Sequence, residues 1–314
     1  MRILWYTIFV MEKERYNHLN KYLKEKFGER TLKICIDSGF TCPNRDGKVG
    51  FGGCIFCSEK GSGEHIKYTD IQTQIKNHLS SYRGERANKF VAYFQNFTNT
   101  YDTVENLKTR YDAALCDEKI VAIAIATRPD CIDEEICKLI SSYKSKVDVW
   151  VELGLQTSND KTGEIINRGY DSKTFTNAIT LLNKYNIEVV THIMVGLPGE
   201  DFEDIKNTVN FLNKHNIQGL KIHSCYVVEN TKLAKMYKEK KYIPITLEYY
   251  LECASYILTH ISPDIIIHKI SGDAPKNLLL APEWNLHKKW IMNGLDKLLK
   301  DNNLYQGMYY KKED

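Results

Sequence analysis

Apolar and polar positions change register repeatedly along this chain, and the changes mark out its elements. Short apolar runs recur at residues 31–36 (TLKICI), 90–94, 121–126, 147–153, 188–195 and 219–223, and each predicts a strand. Stretches with helical spacing fall between them. One follows Thr103, and another opens at Asp133 with Ile136, Leu139, Ile140 and Tyr143 on one face. The next, over 172–185, carries Phe175, Ile179 and Leu182, and that over 201–214 carries Phe202, Ile205, Val209 and Leu212. A helix over 15–27 precedes the first strand, and Gly28 stops it. Strands alternating with helices imply a parallel sheet with right-handed crossovers. Six such units are too few to close an eight-stranded barrel, so the expected fold is α/β, an open three-quarter (β/α)6 barrel over residues 16–242.

After Tyr242 the pattern changes. An amphipathic helix over 246–260, a short apolar run at 265–268 and a helix over 284–300 predict a small C-terminal module, 243–314, that closes the barrel mouth. Residues 1–15 lie outside the barrel pattern and are expected to be an N-terminal extension, with Met11 as the true start. The apolar run Met1 to Val10 is too short for a bilayer, which takes about twenty residues.

Composition narrows the class without naming a function. Hydrophobic residues at 43% and charged residues at 26% describe a globular protein with a full core. A formal charge of +3 permits contact with nucleic acid but does not argue for it. Nine cysteines, an odd number without regular pairing, point to a reducing cytoplasm and no membrane.

Candidate chemistry sits in one loop, which leaves the C-terminal end of the first predicted strand. Cys42, Cys54 and Cys57 fall within sixteen residues, among one proline and four glycines. Thiolates select zinc or iron–sulfur clusters. A structural zinc site wants four protein ligands, and no second CxxC or HxxxH follows. A cubane held by three cysteines leaves one iron open for an outside ligand. A degenerate zinc knuckle or a set of buried thiols is the other use of these residues.

The phrase GFTCPNRDGKVGFGGCIFC resembles radical S-adenosylmethionine (SAM) proteins of the YtqA/YhcC type. These are relatives of the Elongator catalytic subunit and of oxygen-independent coproporphyrinogen oxidases. The resemblance runs from about Tyr16 to the early 290s. It implies that Cys42, Cys54 and Cys57 ligate a [4Fe-4S] cluster while SAM chelates the fourth iron. Phe56 takes the family position near the SAM adenine. Gln95, then Asn99, are the candidates for the SAM amino group, though the Gly-Gly-Glu common in relatives is missing. Thr127, in Ala126-Thr127-Arg128-Pro129-Asp130, is expected to contact the ribose, with Arg128 and Asp130 pairing with each other. Gln156 is implied for the ribose, and Arg168, twelve residues on, for the SAM carboxylate. His192 stands where relatives carry a ribose-binding acid, and Gly196, in GLPG, lets backbone approach the adenine. His268, Lys269 and Asp273 have no SAM role in the family and are candidates for substrate. Of the scattered cysteines, Cys225 could face the cavity.

The resemblance implies that reductive cleavage of SAM yields a 5′-deoxyadenosyl radical that removes hydrogen from substrate. The expected substrate is a tRNA wobble uridine, converted from 5-carboxymethylaminomethyl to 5-aminomethyl. A low-potential electron donor such as flavodoxin or ferredoxin is the expected protein partner. Radical chemistry on a small molecule, and a non-enzymatic zinc-stabilised RNA-binding module, are the rival readings.

Overall fold

The computed structural model describes residues 14–61 and 69–312. Residues 1–13, and with them the expected start at Met11, lie outside the described residues. The chain runs α1 (Leu19–Phe27), β1 (Thr31–Ile36), α2 (Ile71–Leu79), β2 (Lys89–Phe94), α3 (Val104–Ala114) and β3 (Ile120–Thr127). It continues with α4 (Glu134–Ser142), β4 (Asp148–Gln156), α5 (Asp160–Ile165), α6 (Ser172–Lys184), β5 (Glu188–Val195), α7 (Phe202–Asn213) and β6 (Gly219–Ser224). The remainder is β7 (Val227–Val228), α8 (Lys232–Lys238), α9 (Leu247–His260), β8 (Ile266–Lys269), β9 (Leu279–Ala281) and α10 (Lys288–Asp301). Helix starts follow local chemistry. Thr103, Asp133 and Asp171 each accept a backbone N–H at the start of a helix, and Asp201 forms a capping box with Asp204.

Seven strands form one sheet in the order β1-β2-β3-β4-β5-β6-β8, and every pairing is parallel. The run at 265–268 is therefore the seventh strand of the sheet. Similarly, β7 pairs with β9 in a two-stranded ribbon that joins residues on both sides of Tyr242. The β6–β8 and β7–β9 pairings tie residues after 242 to the barrel. A four-residue apolar run carries too little pattern to announce its partner, since a β6–β8 pair is made only through tertiary structure.

The two faces of the sheet have different partners. Ile34, Ile36, Phe90, Phe94, Ile123, Leu153 and Val189 pack outward in the main core with residues of the flanking helices. Val91, Tyr93, Ala122, Ala124, Trp150 and Val190 face inward, where Leu19 and Leu23 of α1 join them. Helix α1 touches both β1 and β8, so it fills the gap that an unclosed sheet leaves between its edges. Burying each of these leucines contributes about 1.5–3 kcal/mol. The alanines at 122, 124 and 126 keep the interior open above that plug, toward the C-terminal ends of the strands.

Candidate active site

The cysteine loop leaves β1 and folds back on itself, which explains its long first spacing. Residues 46 and 51 pair in an antiparallel bridge, Val49 and Gly50 donate to the Pro43 carbonyl, and Gly53 donates to the Asn44 carbonyl. The excursion returns Cys54 to the neighbourhood of Cys42. Gly53 has φ +74°, and a Cβ there would stand 3.0 Å from the Arg45 side chain, so glycine is required at that return. Arg45 then staples the loop's end, donating to the carbonyls of Cys57 and Ser58 and lying over the Phe97 ring. Asn44 donates to the Asn167 carbonyl at 2.6 Å and approaches Cys54 Sγ at 3.8 Å.

The three thiols act on one another. Burial, then the Cys57 thiol, pushes Cys54 up to about 12; Cys42 adds to the rise, while Arg128 and Asn44 oppose it. Among the described residues no three His, Cys, Asp or Glu side chains stand close enough to hold a single metal ion.

A turn after α5 supports the loop from below. Ile55 donates to the Ile166 carbonyl at 3.0 Å, and Asn167 Nδ2 donates to the Gly53 carbonyl at 2.8 Å. Arg168 holds this turn. Its Nη1 donates to the carbonyls of Leu155 and Thr157, both at 2.7 Å, and Nε donates to Tyr170 at 2.9 Å. Nη2 meets Asp160 Oδ1 at 2.8 Å. The side chain is fully buried, and Gly163 makes room for it, since a Cβ there would lie 2.8 Å from Nη2. A SAM carboxylate finds no open face on this guanidinium, so the role expected of Arg168 is corrected to that of a scaffold. Arg128 is likewise engaged, with two bonds to Asp130 and one to the Arg168 carbonyl, as the Arg128–Asp130 pairing anticipated.

Inside the barrel a cavity of about 210 Å³ runs from Phe56 and Cys57 down to Tyr93, Lys221 and His223. Gln95, Gln156, His192 and Met194 also line it, as do Lys269 and Asp273. Gln156 ends β4 past a register shift, at φ +62°, a strained conformation for a residue with a side chain. Tyr170 donates to the Gly154 carbonyl and to Gln156 Oε1. Replacing Gln156 by glycine should relieve the strain by about 1 kcal/mol while removing a cavity side chain. The expected outcome is an unchanged or higher melting temperature with weaker SAM binding by calorimetry; lower stability with normal SAM binding would refute it.

The floor is ionic. Glu152 is fully buried and receives Lys33 Nζ at 3.0 Å, His192 Nε2 at 2.8 Å, Trp150 Nε1 at 3.2 Å and the Lys221 ammonium. Burial alone would raise its pKa, yet Lys221 and Lys33 hold it well below the usual carboxylate range. Burial pushes His192 down to about 4, with Lys221 adding to the fall and Glu152 opposing it. His192 is therefore neutral at physiological pH.

Of the residues expected at the site, Phe56, Cys57, Gln95, Gln156, His192, Lys269 and Asp273 meet around the cavity. Asn99 does not line it: fully buried, its amide donates to the Phe94 and Ala126 carbonyls and ties β2 to β3. Thr127 bonds Thr100 at 2.6 Å away from the cavity wall. Gly196 takes φ +87° and its carbonyl accepts from Tyr242, with Ile245 packed over it. His268 is directed at the Trp150 ring below the floor. Cys225 is buried in a separate apolar cluster with Ile55 and Leu233, not at the cavity. Sequence reading missed Asn44, Arg45, Tyr93, Lys33 and Lys221. The last two carried a signal, a lysine at an alternate position inside an otherwise apolar strand.

The radical SAM superfamily model matches residues 41–212, from just before the first site cysteine through α7. The chain belongs to the radical SAM superfamily. A radical SAM C-terminal domain matches residues 217–301, which contain β6, β8 and β9. YtqA of Bacillus subtilis is 36% identical over 95% of this chain and 94% of its own length. YhcC of Escherichia coli is 34% identical over 90% of this chain and 91% of its own. A tRNA uridine(34) acetyltransferase of Methanocaldococcus jannaschii is 30% identical over 52% of this chain and 30% of that enzyme. Among solved structures, an Elp3 of Methanocaldococcus infernus superposes with TM-score 0.67 at 18% identity. It covers 88% of this chain and 64% of that one, and shows the shared fold.

Radical SAM proteins bind a [4Fe-4S] cluster and SAM. The donor set present fits the cluster. Three mutually repelling thiols, with Cys54 buried beside two of its kind, need a positive partner to ionise together. No fourth cysteine falls in the loop, leaving one position for an outside ligand. Family membership makes this a SAM-dependent iron–sulfur enzyme and sets aside the zinc-stabilised module. No helix among the described residues is long and apolar enough to cross a membrane.

Proposed function

We propose that this radical SAM enzyme acts on the wobble uridine of tRNA, converting a 5-carboxymethylaminomethyl side chain to the 5-aminomethyl form. The observation that carries the reading is the cavity, about 210 Å³, which reaches from Cys57 to a floor lined by Lys221, His223 and Lys269. It suits an extended polar side chain better than a flat macrocycle. The match of half the chain to tRNA uridine(34) acetyltransferases supports a wobble uridine as the base that bears it. Proteins read RNA chiefly by splaying single-stranded bases outward, and an anticodon loop offers such a base.

When bound, the cluster and SAM would supply a two-electron oxidation of the carboxymethyl carbon, SAM leaving as methionine and 5′-deoxyadenosine. Hydrolysis of the resulting imine by water would release the two carbons as glyoxylate and leave the aminomethyl group. Cys42, Cys54 and Cys57 would hold the cluster. Phe56, Gln95 and Gln156, which line the cavity, would bind SAM, and neutral His192 would offer its ribose a hydrogen-bonding contact. The inward apolar side chains and α1 exclude water from below. The cluster would need a low-potential electron donor, such as flavodoxin or ferredoxin.

Nucleoside mass spectrometry of tRNA from a strain lacking the protein tests this. The carboxymethylaminomethyl nucleoside should accumulate and the aminomethyl form fall, with restoration by the intact gene but not by a Cys54→Ala copy. An unchanged nucleoside profile rejects the tRNA reading and favours a small-molecule substrate.

A further inference from the structure

Three ammonium groups converge on the cavity floor around too little negative charge. Lys221 and Lys269 are register partners on the adjacent strands β6 and β8, so their stems rise about 5 Å apart. Lys33 reaches in from β1 to the same buried carboxylate, Glu152, that Lys221 contacts. Lys269 meets Asp273 at 2.6 Å, but that carboxylate is 60% exposed at the rim. Like charges side by side cost stability, and buried ones cost more. Such a cluster is best balanced by an anion that arrives with the ligand.

We propose that the cavity floor is a carboxylate seat, formed by Lys221 and Lys269 with His223 beside them, that holds the acid end of the substrate. The inference rests on the proposed function and deepens it, since it assigns the residues that would distinguish a carboxymethylaminomethyl group from its product. The surroundings agree. Burial pushes Lys221 down to about 7; Glu152 opposes the fall, while Lys33 and Lys269 reinforce it. His192, His223 and His268 are all held below their ordinary pKa, burial being the first cause, so they add no charge of their own. Tyr93 Oη lies 3.1 Å from the Lys221 ammonium and completes the wall facing it. Two ammonium groups at strand spacing match the two oxygens of one carboxylate. A carboxylate seated here would leave the rest of its chain pointing up toward Cys57 and Phe56.

The test uses cluster-loaded protein saturated with SAM, so that the SAM carboxylate cannot be mistaken for the ligand. N-ethylglycine, which reproduces the carboxymethylamino end, is titrated by calorimetry beside N-ethylglycinamide, which keeps the amine and lacks the carboxylate. The acid should bind at least about tenfold more tightly than the amide. Lys269→Met should erase the preference, and Lys269→Arg should restore most of it. Lys269 is the better target because Lys221 is buried against Glu152; melting temperature and iron content confirm that the variant is folded. Equal binding of acid and amide, absence of acid binding, or an unchanged preference in folded Lys269→Met each overturn the seat. A confirmed preference with an unchanged tRNA profile keeps the seat and discards the tRNA substrate. Altered tRNA without the preference does the reverse.

Discussion

Replacing Cys42, Cys54 or Cys57 by alanine, one at a time, should leave the reconstituted protein without its iron. Cys54 shows why no neighbour can substitute. It is fixed from both sides, by the hairpin that ends at Gly53 and by the Ile55 amide on the Ile166 carbonyl. Of the other six cysteines, Cys137, Cys225 and Cys253 are buried away from the loop. Cys131 is the one to watch, because it lies within electrostatic reach of Cys42. It sits beside Asp130 in the turn after β3, outside the loop that carries the other three. Cys131→Ala should accordingly keep full iron and sulfide. Iron and acid-labile sulfide assays on anaerobic samples decide the matter. Full loading of any of the three loop variants would refute the ligand assignment.

Arg168→Ala should lower stability by about 3–5 kcal/mol, read as a fall of about 10 °C in melting temperature, and should reduce iron content with it. The substitution strips partners from the carbonyls of Leu155, Thr157 and Tyr170 and leaves Asp160 without its cation. The turn so loosened carries the Ile166 carbonyl and Asn167, which dock Gly53 and Ile55. Lysine should rescue little, because one ammonium cannot reach acceptors spread around a planar fork. A residue that bound only the SAM carboxylate would behave differently. Its loss would spare stability and iron and weaken SAM alone, and that pattern would refute the scaffold role.

Arg168 also shows where sequence stops. Its distance along the chain from Gln156 places it after β4, but spacing cannot say whether a guanidinium enters the cavity or turns back under the loop. Asn99 failed in the same way: its position was foreseen, but its amide serves two strand-end carbonyls. What was legible rests on strong local signals. Six strands and the main helices after β2, β3, β4 and β5 followed from periodicity, and the cysteine loop from ligand chemistry. Helix α2, Ile71–Leu79, was not foreseen, because its run IQTQIKNHL is mostly polar. The seventh strand was not legible, because the pairing that makes Ile266–Lys269 a strand joins segments far apart in sequence. Lys33, Glu152 and Lys221 could have been flagged as charges at inward positions of apolar strands. Their convergence on one carboxylate needed the curvature of the sheet.

Helix α1 fills the gap between the sheet's first and last strands, and its approach is held by the other end of the chain. Arg15 donates to Asn303, Gln306 donates to the Arg15 carbonyl, and Asn17 donates to Gln306. His18 bridges to Ile267 of β8. During synthesis the first helix therefore emerges long before its partners, some 288 residues ahead of Asn303. The strands between can pair in order as they leave the ribosome. The plug must wait, and its apolar face stays a target for chaperones until residues 303–306 have been made.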